Sequence, residues 1–314
     1  MNSQDRPGPP AGAIVVALGL DGSEAAVAFA ADEACRTHRP LHLVHVLRIS
    51  GAEAYAGVVQ GAYEAADATV ARGLAHARGL VDEQVPVTAE RVDEGWLVAD
   101  LVERASRAAM LVLQHRRQHP LRRLVTGSTV AGVAGRCAVP VVSVPEDWHP
   151  GTPEAVVTVG VQDADEAGAL LRQAALEARA RGARVVVLHA WYLEGGYDSV
   201  VADRQFSVER EKQITRDLMP AIDATRAAFP DVPVQLSVQH ALTTGALVES
   251  LSSSDLLVIG RRHHLLPLGS HLGPVARAVL QYGTGPVLLS PEGPREVRVA
   301  LAHAVAVPSV VQPA

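Results

Sequence analysis

The pattern of apolar and polar positions runs through the same series twice. Residues 13–20 (AIVVALGL) and 155–161 (AVVTVGV) are short runs rich in Val, Ile and Ala. Runs this short and this apolar predict parallel strands buried on both faces. Each passes through a small polar turn, 21–24 (DGSE) or 162–166 (QDADE), into an Ala-rich helix over about 24–37 or 166–181. Second strands are predicted at 41–47 and 184–191, with His45 matching His189. Polar stretches at 50–83 and 193–229 predict a loop and a long helix, and third strands follow at 85–92 and 232–239. Gly95 and Gly245 mark turns into helices whose apolar faces carry Leu97, Leu101, Ala105 and Ala108, or Leu247 and Leu251. Fourth strands at 110–113 and 256–259, helices over about 128–137 and 274–282, and fifth strands after Pro140 and Pro286 complete each series.

The endings align without a gap. Over 110–146 and 256–292, Gln114 falls on Gly260, Arg116 on Arg262, Gly127 on Gly273 and Pro140 on Pro286. Parallel strands require crossover connections, so strand–helix alternation with short links predicts an α/β fold with a doubly wound parallel sheet in each copy. The expected domains are 11–147 and 155–292, joined by a Gly- and Pro-containing linker at 148–154. The extension 293–314 has no counterpart in the first copy and reads either as an added edge strand or as a docking arm.

Composition narrows the function. A length of 314 residues and 48% apolar content suit two cores. A net charge of −6 argues against a dedicated nucleic-acid binder. The only lysine is Lys212, and with no Gly-Lys pair a Walker A phosphate loop is excluded. Cys35 and Cys137 are far apart and read as buried small hydrophobes in a reducing compartment. The N-terminus MNSQDRPGPPAG does not have the pattern of a signal peptide, and no apolar run approaches the roughly 20 residues that span a membrane. A cytoplasmic protein with no membrane contact is expected. There is no G-x-S-x-G, H-E-x-x-H or Cys-x-x-Cys. The acidic residues suggest no acid–base pair, so no catalytic residue and no metal site are predicted. Trp96 and Trp191 read as packing residues, and His45 and His189 as hydrogen-bonded residues near strand ends.

AIVVALGLDGSEAAVAFAADEA, LHLVHVL, VDEGWLVADLV and LVLQHRR…TGSTV…CAVPVVSVP together resemble a universal stress protein domain. LLVIGRRHH…LGPVA…GPVLLSP repeats the pattern, so the chain is similar to a tandem universal stress protein. The resemblance implies two tandem five-stranded parallel α/β sandwiches of the adenine-nucleotide alpha-hydrolase-like, Rossmann-like type. It also implies, for ATP-binding members, an Asp at the end of the first strand. The phosphates would lie on a G-x2-G-x9-G-[ST] loop after the fourth strand. The physics agrees: ligands of open parallel sheets sit beyond the strand C-termini, and helix N-termini offer unpaired donors.

The loop residues fit that pattern only in part. The first copy has Asp21, Arg116 and Gly127-Ser128, with Ser128 as a cap or phosphate ligand, but carries Gln114 and Arg117 where the first two glycines belong. The second has Gly260, Arg262 and Gly273, but His263 replaces the second glycine, Pro274 the hydroxyl and Gln162 the Asp. Basic residues crowd both loops: His115, Arg116, Arg117, His119, Arg122 and Arg123 in one, Arg261, Arg262, His263 and His264 in the other. They read either as an anion site or as a solvated basic surface. The expected function is a non-catalytic stress-response or regulatory module with degenerate nucleotide loops. The alternative is an ATP-binding sensor or slow ATPase acting through the first domain, with ATP or another adenine nucleotide as ligand. The fifth-strand segments VPVVSVP and GPVLLSP are expected to pair the domains within the chain or to support a homodimer, with an unidentified protein partner.

Overall fold

A computed structural model describes residues 8–20, 22–48, 56–93, 95–115, 127–151, 154–192, 204–261 and 272–291. The first half runs β1 (Ile14–Ala17), α1 (Glu24–Thr37), β2 (Leu41–Val46), α2 (Ala56–Arg78), β3 (Val87–Val92), α3 (Leu97–Ala105), β4 (Met110–His115), α4 (Gly127–Ala134) and β5 (Val141–Pro145). The second runs β6 (Val156–Gly160), α5 (Ala164–Arg181), β7 (Arg184–Trp191), α6 (Arg204–Ala228), β8 (Val234–His240), α7 (Thr243–Ser250), β9 (Leu256–Gly260), α8 (Pro274–Tyr282) and β10 (Val287–Ser290).

All ten strands join one sheet in the order β3-β2-β1-β4-β5-β10-β9-β6-β7-β8. Within each half every pairing is parallel. The halves meet where β5 and β10 pair antiparallel, with Val142 opposite Leu288. Alternate residues along each strand feed opposite layers. Ile14 and Val16 face a core with α1, α2, α5 and α6, and Val15 faces a second core with α3, α4, α7 and α8. Both cores continue across the seam, since Val142 and Leu288 belong to one, and Val141, Val287 and Leu289 to the other. The sheet is therefore covered on both faces, as the unbroken apolar runs require.

Two backbone details place the strand ends. α1 and α5 both terminate on a left-handed residue, His38 at φ 51° and Gly182 at φ 61°. Gly160 closes β6 against α7: a Cβ there would stand 2.7 Å from Leu247 Cδ2, so glycine lets the helix approach.

Candidate functional site

The C-terminal strand ends of each half are anchored in the same way. His45, 3% exposed, donates from Nδ1 to the Leu18 carbonyl at 2.9 Å. His189 donates from Nδ1 to the Val161 carbonyl at 3.0 Å, and burial holds its imidazole below the ordinary range. The two carbonyls end equivalent strands, and from there the halves diverge. The first needs residues 18–23 to reach α1, whereas the second needs only 161–163 to reach α5. Counting from the paired histidines puts Gln162 opposite Gly19, so Gln162 does not replace Asp21; the same count puts Ala164, the first residue of α5, at that position.

Gln114 closes the N-terminus of α1. Its Oε1 accepts from the backbone N–H of Ala25 at 3.1 Å and of Ala26 at 3.3 Å. Ser23, which precedes the helix, does not cap it. Its hydroxyl accepts from Gly19 N–H and donates to the Gly22 carbonyl, both at 2.8 Å. The cap thus comes from the end of β4, a long way along the chain, and satisfies donors that a helix otherwise offers to solvent or an anion. At the equivalent Gly260 there is no side chain to do this. A Cβ there would meet Leu170 Cδ1 at 3.5 Å, an ordinary contact, so packing does not demand the glycine.

The remaining loop positions are partly placed. Gly127 is the first residue of α4 and Ser128 the second, so Ser128 stands inside the first turn and not at the cap. Gly273 is the N-cap of α8 in extended conformation, with Pro274 as the first helical residue, where proline's fixed φ suits a helix start and its missing N–H removes a donor. Asp21, Arg116, Arg117, His119, Arg122, Arg123, Arg262, His263 and His264 lie outside the described residues. Among the described residues no group of three or more His, Cys, Asp or Glu could hold a metal ion. No helix among them is long and apolar enough to cross a membrane.

Three residues correct the sequence reading. Arg261 is not part of a solvated basic loop: it is 4% exposed and reaches across the seam. Its guanidinium donates to the first-half carbonyls of Cys137 at 2.5 Å and Val139 at 2.7 Å, and also to the Leu289 carbonyl. Burial lowers its pKa to about 10, which leaves it charged at neutral pH. Its first-half equivalent, His115, bonds Ser143 Oγ of its own half at 2.8 Å. Trp96 is not a packing residue, being 82% exposed at the start of α3. Cys35 is only half-buried, while Cys137 is buried.

A second cross-seam cluster has no counterpart in the sequence reading. Arg181 of α5 forms ion pairs with Glu33 of α1 and, at 2.6 Å, with Glu177 one turn before it. All three side chains are nearly inaccessible. Burial pushes the Glu33 carboxyl up to about 7, with Arg181 and Arg36 opposing and Glu177 and Asp32 adding to the shift. Burial works against the Arg181 charge, but Glu33 and Glu177 outweigh it and raise its pKa. The sequence carries a signal: the helices share a Glu-Ala pair at 33–34 and 177–178, with the Glu on a face otherwise apolar.

One further polar line lies away from the strand ends. His42 bridges Thr88 Oγ1 at 2.7 Å and Glu90 Oε1 at 3.1 Å, with Arg104 Nε 3.4 Å from the same carboxylate oxygen. His42 and Thr88 pair near the start of β2 and β3, so the network ties an edge strand to its neighbour on the side remote from the loops.

Comparison with known proteins completes the picture. The family model described as universal stress protein family matches the chain twice, over residues 11–145 and 155–291. A universal stress protein of Mycobacterium tuberculosis is 28% identical over 302 residues, covering 88% of this chain and 94% of its own. One of Mycolicibacterium smegmatis is 27% identical over 290 residues, covering 87% and 96%. The crystal structure of a universal stress protein from Archaeoglobus fulgidus has the same fold, with a TM-score of 0.60 at 14% identity over 89% of this chain and 98% of that one.

Proposed function

Because the chain belongs to the universal stress protein family, we propose that it acts in the cytoplasm as a non-catalytic regulatory module. In this reading one chain supplies both halves of a pairing that could otherwise be made between two subunits. The observation that carries it is the Gln114 cap. Where the resemblance calls for a loop glycine, a side-chain oxygen already holds two N-terminal donors of α1. In the second half α8 opens on Pro274, which has no N–H to offer a phosphate. Neither half then presents the full set of backbone donors that a triphosphate needs. The strongly shifted carboxyl, Glu33, contacts α5 at the seam and not the strand-end loops, which also speaks against acid–base chemistry there.

A second reading, nucleotide held by the first half alone, is favoured by one feature: where the second half has Pro274, the first turn of α4 has Ser128, which keeps its backbone N–H. Calorimetry with magnesium ATP on nucleotide-free protein, together with a phosphate-release assay, separates the readings. The first expects no heat at millimolar ATP and no turnover. Saturable binding without turnover supports the second, and steady hydrolysis overturns the non-catalytic assignment. Mass spectrometry of what co-purifies with the chain is the complementary experiment.

A further inference from the structure

The second half carries a feature that the first does not repeat. The chain has three Trp, five Tyr and three Phe in all, yet three of these eleven meet around one cleft of about 530 Å³ between α6 and the end of β7. Trp191 forms its floor and is 6% exposed. His240, its register partner on β8, stacks on the indole with ring centres 4.1 Å apart and planes 17° from parallel. Phe206 meets the same indole edge-on at 6.3 Å. Tyr192 and Phe206 remain 45% and 39% exposed, so their rings stand at the mouth. In the first half the residue two positions beyond the matching histidine is Leu47. The shared fold therefore does not need an aromatic residue here, and side chains of this size left open to solvent point to recognition.

The polar groups of the cleft specify the rest of the occupant. Trp191 Nε1 is buried and has no hydrogen-bond partner among the described residues, although a buried indole N–H normally finds one. Arg210 lines the cleft and forms no ion pair among the described residues. Its charge reaches His189 on β7, where it contributes, after burial, to lowering the imidazole pKa, so it stands close to the strand ends. The one carboxylate in the lining, Glu209, faces Arg216 at 3.6 Å and Lys212 at 3.7 Å, so it is already matched by cations. A planar ring is called for by the aromatic walls, and an anionic acceptor by Arg210 and the indole N–H.

We propose that this cleft binds a small planar aromatic carboxylate, its ring against Tyr192 and Phe206 and its carboxylate held by Arg210 and the Trp191 indole N–H. The residues that line the site come from the end of β7 and from α6. A ligand of about ten heavy atoms with one charge-assisted contact would bind with a dissociation constant on the order of 0.1 mM.

The test is a titration of the full 15N-labelled chain with 4-hydroxybenzoate, read on the indole N–H resonances of Trp96, Trp148 and Trp191. Trp191 is expected to shift and saturate. Trp96 and Trp148 should stay in place, since both lie in or against the first half. Trp191→Phe identifies the resonance and, followed on ligand signals, should weaken binding about fivefold, because the ring remains and only the N–H is lost. Arg210→Gln, at an exposed position that folding does not need, should weaken it about tenfold. Cyclohexanecarboxylate, which keeps the charge without the aromatic face, should bind at least about tenfold more weakly than 4-hydroxybenzoate. The proposal is overturned if the Trp191 resonance does not move at about 10 mM ligand, a hundredfold excess over the expected constant. It is equally overturned if cyclohexanecarboxylate matches the aromatic acid, or if Arg210→Gln titrates like the parent.

Discussion

Glu33 and Glu177 occupy equivalent positions in α1 and α5, each five residues before the left-handed residue that ends its helix, and one guanidinium, Arg181, serves both. The first-half equivalent of Arg181 is Thr37, whose hydroxyl donates to its own helix at the Glu33 carbonyl. Two buried carboxylates therefore share one cation, and burial, with Glu177 adding to it and Arg181 opposing, pushes Glu33 toward protonation.

This gives a pH dependence with a defined sign. The Glu33 pKa rises from 4.5 to about 7 on folding. Between those values the folded chain holds a proton that the unfolded chain releases. The contribution to stability is full below about 4.5 and is lost as pH rises through about 7. Urea denaturation is expected to show the chain less stable at about pH 8 than at about pH 5, by on the order of 2 kcal/mol from this group. Glu33→Gln should flatten that difference. An equally steep pH dependence in Glu33→Gln would show that it originates elsewhere.

Arg261 holds the seam from the opposite face. Replacing it by Met keeps much of its volume but leaves the Cys137, Val139 and Leu289 carbonyls without their donor. Buried acceptors without partners are expensive, so Arg261→Met should lower unfolding stability by about 2–4 kcal/mol. Equilibrium denaturation measures it. A change below about 0.5 kcal/mol would mean that the three carbonyls find other donors at little cost.

Gln114 can be tested by exchange in both directions. Gln114→Gly removes the cap of α1 and should cost about 1 kcal/mol. Gln114→Glu places a formal negative charge against the helix N-terminus and should hold or raise stability by about 0.5 kcal/mol. If the cap blocks the first-half loop, magnesium ATP should bind Gln114→Gly more tightly than the parent in calorimetry. Equal affinity would remove Gln114 as the cause of weak binding.

A fragment of residues 1–150 would lack Arg181 and leave β5 without its partner strand. An open apolar edge favours self-association. In a symmetric pair, however, two Glu33 side chains would meet with no guanidinium between them. Sedimentation equilibrium should therefore find the fragment associating at about pH 5 and weakening at about pH 8 as Glu33 ionises. A pH-independent monomer would contradict both parts of the argument.

Much of the α/β order was legible because strands buried on both faces leave unbroken apolar runs. AIVVALGL, LHLVHVL and their second-half counterparts needed no tertiary information. The loops were harder. Gln114 reads as the loss of a glycine, and only the placement of α1 beside β4 turns it into a cap. Arg261 reads as one of four consecutive basic residues, and only the antiparallel join brings the Cys137 and Val139 carbonyls to it. Position in the turn matches Gln162 to Asp21, and the match fails because α5 begins closer to its strand than α1 does. Residue type alone makes Trp96 a packing residue, but it says nothing about the direction a side chain takes at a helix start.

The antiparallel join of β5 and β10 fixes how the molecule can meet its surroundings. Every strand of the first half ends on one rim of the sheet and every strand of the second on the other. The β1/β4 mouth and the β6/β9 mouth are four strand spacings apart in the sheet order, roughly 19 Å laterally, and open in opposite directions. No small ligand can touch both. Whatever the two rims bind, they bind independently and facing away from each other, so the chain has the geometry of a two-ended connector. A partner that senses one rim would learn of the other only through the rigid sheet between them.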